Sequence, residues 1–125
     1  VSGFNIISTG GVLKEGTLSL TGAQVGRSYA SYNVDTAIFS AKGMDAECGV
    51  TDANETNAYI KQTLLSQAKR KVLALDHTKF DKKALVRICN ISEITHVVTD
   101  EKPSDEWLNC FASNNITCVY PKSVI

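Results

Sequence analysis

The sequence predicts an α/β fold, in which a mainly parallel sheet carries helices on both faces. Several strand-like runs are apolar throughout, which is typical of strands that are covered on both sides. Helix-like stretches separate these runs, so consecutive strands can lie parallel to each other. With 125 residues, the chain has the length of one domain with its own core.

The first half of the chain predicts three strands and one helix. The run FNIIS is apolar and is closed by Thr9 and two glycines, which predicts a buried strand and a tight turn. TLSL alternates like an edge strand, and TAIFSA leads into a long loop with glycines at 43 and 49. The predicted strands span residues 4–8, 17–20 and 36–41, and the helix runs from Gly22 to about Tyr32.

The second half predicts two helices and four further strands. Asp52 is a suitable cap for the first helix, with Glu55 at the capping-box spacing, and Lys69 and Arg70 suit the negative end of its dipole. Trp107 and its apolar neighbours form the buried side of the second helix. The helices are expected at 53–70 and from 103 to Asn114, and the strands at 72–76, 84–88, 95–99 and 116–120.

Composition excludes several classes of function. Lys plus Arg and Asp plus Glu both number 13, so the net charge is zero, which argues against a basic face that grips nucleic acid. No apolar run reaches the length of a membrane span, so no membrane partner is expected. The four cysteines form no CxxC pair and lack metal-ligand spacing from the histidines. They are interpreted as reduced thiols of a cytoplasmic protein, and no metal or cofactor is predicted.

The residues that could bind a ligand follow the predicted strands, at the edge of the sheet where ligands of α/β proteins collect. Gly10 and Gly11 allow positive φ and leave backbone amides open to an anion, although a plain turn would need the same glycines. Asp45 stands in a loop that leads to the start of the long helix, where amides bind anions. The alternative is that Asp45 caps a turn and Thr51 or Asp52 caps the helix.

Lys79 provides a positive charge just beyond a buried strand. Such a lysine can neutralise a phosphate, whereas in the alternative interpretation it forms a loose surface ion pair with Asp76 or Asp81. Together with the glycine pair and Asp45 at the same edge, it predicts a pocket for a small polyhydroxylated anion. The carboxylate would accept hydrogen bonds from hydroxyl groups while the lysine and the amides hold a phosphate.

Five blocks in order, ISTGG, SLTGAQV, DTAIFSAKGMDAECGVT, LALDHTKF and THVVTD, resemble the carboxyl-terminal sensor domain of DeoR-family transcriptional regulators. The resemblance implies the α/β sheet of ribose-phosphate isomerases and CoA transferases, in a cytoplasmic, homo-oligomeric regulator that responds to a phosphorylated sugar. Carried over by position, the implied effector-binding residues are Gly10, Gly11, Asp45, Gly49, Thr51, Asp76 and Lys79, the last belonging to a D-x-[ST]-K motif.

Two departures from the family pattern concern the start of the chain. It begins at Val1 without Met, and both the helix-turn-helix and the first part of the sensor domain are expected to lie upstream. Residues 1–125 are therefore predicted to form an effector-binding domain that is incomplete at its amino terminus. DNA would be bound only through the absent domain.

The rival hypothesis is a sugar-phosphate isomerase. The amino-sugar isomerases that share the implied fold carry an Asp-Gly-His run in the corresponding loop, whereas Asp45 is followed here by Ala46 and Glu47. Proton shuttling normally needs two groups of suitable pKa near the substrate, and the loop offers one clear carboxylate. The sequence therefore predicts binding without catalysis.

Overall fold

The computed structural model describes residues 3–122, which excludes Val1, Ser2 and the last three residues. The helices are α1 (Ala23–Ala30), α2 (Glu55–Ser66) and α3 (Asp105–Ser113), with short 3-10 turns at His77–Lys79 and Ile91–Glu93. The strands are β1 (Val12–Lys14), β2 (Ser19–Thr21), β3 (Val34–Phe39), β4 (Gly43–Asp45), β5 (Gly49–Asp52), β6 (Ala68–Ala74), β7 (Val86–Cys89), β8 (His96–Val98) and β9 (Thr117–Val119).

A four-stranded parallel sheet in the order β3-β6-β8-β9 forms the centre of the fold and confirms the α/β prediction. Leu73 of β6 and Val97 of β8 are completely buried, as the apolar character of their strands predicts. Phe111 of α3 is 1% exposed and belongs to the same core. The helix α3 begins at Asp105, two residues after the predicted start at 103, because the Ser104 side chain caps it by accepting a hydrogen bond from the Trp107 amide.

A second, antiparallel sheet has the order β4-β5-β7, and two of its strands, β4 and β5, lie in the region expected to be a loop between β3 and α2. Met44 and Val50 are completely buried in it. Both strands are short and contain glycine, so neither produces the continuous apolar run by which strands are found in a sequence. The predicted strand at 84–88 is present as β7, but it pairs antiparallel with β5 instead of joining the parallel sheet.

The prediction of a buried strand at residues 4–8 is wrong. This segment has no strand partner within residues 3–122, and Phe4, Ile6 and Ile7 are 68–74% exposed. A strand needs a neighbour for its backbone groups, and an apolar run alone does not provide one. The alternating segment after it does form an edge strand, β2, which pairs with β1 in a two-stranded sheet.

The bounds of α2 differ from the predicted 53–70. The cap is Asn54, whose side chain accepts a hydrogen bond from the Asn57 amide at 2.9 Å, and the helix ends at Ser66. Asp52 is instead a buried residue of β5, while Lys69 and Arg70 belong to β6 and do not interact with the end of the helix. Asp52 and Asn54 are equally good capping residues, so their burial, which the sequence does not show, decides between them.

Candidate functional site

The carboxyl ends of β3, β6 and β8 meet at one edge of the parallel sheet, because these three strands are neighbours. The chain continues from them as residues 40–42, 75–79 and 99–101. Most of the chemically distinctive side chains of the protein lie in these connections or beside them. We treat this edge as the candidate site.

Asp76 organises the turn that follows β6. Its carboxylate accepts hydrogen bonds from the amide and the hydroxyl of Thr78, and these bonds hold the pKa of Asp76 below its usual 3.8. The Lys79 ammonium lies 3.9 Å from the Asp76 carboxylate, and the lysine side chain is 36% exposed. The loose ion pair considered from the sequence is thus present, and it leaves the ammonium accessible to a ligand.

Asp45 lies in the β4–β5 hairpin, which is next to this turn because Met44 forms a parallel bridge with Phe80. One carboxylate oxygen of Asp45 accepts the amides of Glu47 and Cys48, both at 2.9 Å, which lowers the pKa of Asp45. The turn-capping alternative is therefore realised. The second oxygen accepts no backbone amide from residues 3–122, and a hydroxyl group of a ligand can approach it, while the Cys48 side chain also contributes to the low pKa of Asp45.

Thr51 and Gly49 serve the hairpin itself. Thr51 is 3% exposed, and its hydroxyl donates to the Gly43 carbonyl while accepting the Ala84 amide. Gly49 has a φ of +77°, and a Cβ added there would lie 2.5 Å from the Cys89 carbonyl oxygen. Both residues thus have a structural reason for their identity.

Gly10 and Gly11 form a turn with φ values of +68° and +104° that packs against α1. A Cβ on Gly11 would lie 2.8 Å from both the Thr21 carbonyl oxygen and the Val25 side chain. In five cavities formed by residues 3–122, none of the seven residues assigned to effector binding belongs to the wall. The largest of the five, of about 530 Å³, opens instead beside residues 40–42.

His77 and Asp100 join the ends of β6 and β8 in a contact that the sequence analysis missed. The Asp100 carboxylate accepts the His77 amide at 2.7 Å and lies 2.8 Å from the imidazole Nδ1. With Glu101, these side chains bring three potential metal-ligand atoms within 4.8 Å of one another, all of them exposed. The sequence signal for this contact was that His77 and Asp100 each follow one of two neighbouring parallel strands.

Replacing Asp100 with asparagine should lower the pKa of His77 toward its ordinary 6.5. The Asp100 carboxylate is the main cause that raises this pKa, with smaller contributions from Glu101 and Asp76, while burial opposes them. Titration of the imidazole by NMR measures the shift. Asp105→Asn removes a carboxylate that is not among these causes, and it should leave the titration unchanged; an equal effect of both substitutions would contradict the assignment.

The same pair sets a pH window for stability. A raised pKa of His77 contributes stability that is present below pH 6.5 and is lost as pH rises through the folded-state value. The pKa of Asp100 lies below 3.8, chiefly because His77 donates to it, so its contribution is present above pH 3.8 and is lost in stronger acid. The contact is strongest between these limits, and it holds the turn that carries Lys79.

No helix in the described part of the chain has the length and apolar character needed to cross a membrane.

Comparison with known proteins gives a consistent result. The profile of the DeoR C terminal sensor domain matches residues 1–101. The L-fucose operon activator of Escherichia coli is 32% identical over 78% of this chain and 40% of its own length. In Bacillus subtilis, the uncharacterized HTH-type transcriptional regulator YulB is 31% identical over 77% of this chain and 37% of its own, and the HTH-type transcriptional repressor GlcR is 28% identical over 91% and 44%. The chain thus spans less than half the length of these relatives.

Proposed function

Because the chain belongs to the DeoR family of transcriptional regulators, through its sensor domain, we propose that it binds a phosphorylated sugar and thereby controls the DNA binding of the whole regulator. The protein would be a cytoplasmic homo-oligomer that contacts DNA through a part outside this chain. The name of the L-fucose operon activator supports a sugar as the class of signal. The relatives are transcriptional regulators, which favours binding without catalysis.

The observation that carries this proposal is the bridge between Met44 and Phe80. It brings the hairpin of Asp45 beside the turn of Lys79, so a hydrogen-bond acceptor and a cation lie at the same edge of the sheet. A sugar phosphate needs both groups, since its hydroxyls donate and its phosphate attracts positive charge. In this arrangement Lys79 holds the phosphate and the free oxygen of Asp45 accepts hydroxyl groups.

The neighbouring assigned residues complete the proposed site. Asp76 keeps Lys79 in place through the turn, and a phosphate dianion competes with that single carboxylate for the ammonium. In the glycine turn the Gly10 amide already donates to the Ser8 hydroxyl oxygen at 3.2 Å, so Gly11 would offer its amide, while Gly49 and Thr51 maintain the shape of the hairpin. To control DNA binding, the sugar phosphate must bind one conformation of the regulator more tightly than another, because equal affinity for both shifts nothing.

Replacing Lys79 with alanine should weaken sugar-phosphate binding by roughly tenfold to a hundredfold, the range expected when a charge-assisted hydrogen bond is lost. Isothermal titration calorimetry against a panel of pentose and hexose phosphates measures this change. Lys69→Ala is the matched control, since it removes the same charge from the opposite end of β6 and should leave affinity unchanged. Equal affinities of the wild type and Lys79→Ala would refute the proposed role of Lys79.

The isomerase hypothesis is separated from sensing by following the same sugar phosphates by NMR during incubation with the protein. We expect binding without conversion, since Asp45 is followed by Ala46 and Glu47 where the isomerases carry Gly-His. Sustained isomerisation or deamination would replace the sensing proposal with an enzymatic one.

A further inference from the structure

Within residues 3–122, one face of the parallel sheet is covered and the other is open to solvent. Phe39, Leu73 and Val97 are neighbours in the strand register, and each is at most 6% exposed in the core to which α2 and α3 contribute. Side chains alternate between the two faces along a strand, so the residues next to these three point to the opposite face. On that face Ile38 is 70% exposed and Val98 is 41% exposed.

We call this uncovered surface the open face, and its apolar part is contributed by Ile38, Val72, Ala74, Val98 and Val119. The strand register places Val72 beside Ile38. It also places Val98 between Ala74 and Val119, so the apolar side chains continue across all four strands. Contiguous exposed apolar surface of this kind marks an interaction site, whereas single exposed apolar residues are normal.

The order of the strands explains why α2 and α3 lie on the same face of the sheet. The order β3-β6-β8-β9 is also the order along the chain, so every connection steps across the sheet in the same direction. Connections between parallel strands are almost always right-handed, and successive right-handed steps in one direction stay on one face. Doubly wound sheets cover their second face by connections that step in the opposite direction, which here requires strands beyond β3.

All-parallel sheets occur almost only where both faces are covered, since the helices of their connections pack against them. The chain spans less than half the length of the transcriptional regulators that resemble it, so a large part of such a regulator lies outside it. We propose that helices of this remaining part, connected to a strand that pairs with the outer edge of β3, cover the open face. This docking rests on the proposed function only in that the chain is taken as part of a longer regulator.

The open face specifies the chemistry of the helix that covers it. An apolar stripe with residues at i, i+3, i+4 and i+7 matches its apolar part. Arg70 lies on the same face, where its guanidinium donates to the Thr36 hydroxyl at 2.8 Å and has no carboxylate within 4.0 Å among residues 3–122. An acidic residue at the edge of the stripe would pair with Arg70. A second copy of the chain fits less well, because it would place sheet against sheet and leave the edge of β3 unpaired.

Thiol labelling of Ile38→Cys compares the exposure of the open face in this chain and in the whole regulator. Modification by iodoacetamide at position 38 is followed by peptide mass spectrometry, which separates the new thiol from the four native cysteines. We expect modification to be slower in the whole regulator by roughly tenfold or more, because a covered thiol reacts only when the covering helix detaches.

Leu85→Cys is the matched control, since residue 85 is 83% exposed in the connection before β7 and does not belong to the open face. It should react at the same rate in both proteins. Cys89 is buried and reports unfolding, so it should remain unmodified in both.

Equal rates at position 38 in the two proteins would overturn the proposal. Protection that is already present in the 125-residue chain and increases with its concentration would also overturn it, because a second copy would then cover the open face. Lys79→Ala should weaken sugar-phosphate binding but leave both labelling rates unchanged, so the failure of one proposal is distinguishable from the failure of the other.

Discussion

Gly49→Ala should lower the free energy of unfolding by roughly 3 kcal/mol or more. The new Cβ would lie 2.5 Å from the Cys89 carbonyl oxygen and 3.3 Å from the Asn90 Cα, and both of these atoms belong to the backbone, which cannot rotate away. Relieving this contact would move residue 49 away from Cys89 and disturb the pairing of β5 with β7. The φ of +77° adds strain of about 1–2 kcal/mol for a residue with a Cβ, on top of an overpacking cost of about 1–3 kcal/mol.

Gly16→Ala is the matched control, because Gly16 has a φ of +87° and nothing lies within 4 Å of its added Cβ. It should show the conformational strain alone, about 1–2 kcal/mol. Urea denaturation of both variants measures the difference, provided that the dependence of the unfolding free energy on urea concentration is the same for both. Equal destabilisation at the two positions would mean that the contact with Cys89 does not determine the choice of glycine at 49.

The parallel sheet could be predicted because β6 and β8 contain the apolar runs VLA and VV, in which Leu73 and Val97 are completely buried. The antiparallel sheet could not be predicted, since the strands around Met44 and Val50 are short and contain glycines, a pattern that is typical of a loop. The prediction for residues 4–8 was wrong in the opposite sense. Their apolar side chains suggest a buried strand, but no partner strand covers them in the described part of the chain. Local pattern predicts burial, whereas strand pairing depends on distant segments.

The candidate site was predictable in part for the same reason. Positions after parallel strands share an edge whatever their separation in sequence, so the convergence of the hairpin of Asp45 with the turn of Lys79 was foreseeable. The contacts that the side chains make at this edge could not be predicted. The contact between His77 and Asp100 depends on the directions of their side chains, and the cavity of about 530 Å³ depends on the packing of the β1–β2 hairpin; the sequence pattern shows neither.

Lys61→Met should destabilise the protein by about 3 kcal/mol. Methionine keeps much of the apolar stem of lysine but removes the ammonium, which leaves the Asp52 carboxylate buried without a counter-charge. Removing one partner of a buried ion pair costs about 3–5 kcal/mol, and the lower end applies because the Lys61 side chain is 24% exposed. Lys71→Met is the control, since within residues 3–122 the Lys71 ammonium donates a hydrogen bond to the Ala68 carbonyl oxygen and forms no ion pair, and a cost of about 1 kcal/mol is expected.

The double variant Asp52→Asn/Lys61→Met separates the charge from the rest of the contact. Asparagine keeps an oxygen that can accept the Ala53 amide, which bonds to Asp52 at 2.7 Å, and no unpaired charge is left. We expect the double variant to recover at least half of the stability lost in Lys61→Met, measured by urea denaturation. Failure to recover it would mean that the bond from Lys61 to the Ser40 carbonyl oxygen, and not the ion pair, accounts for the loss.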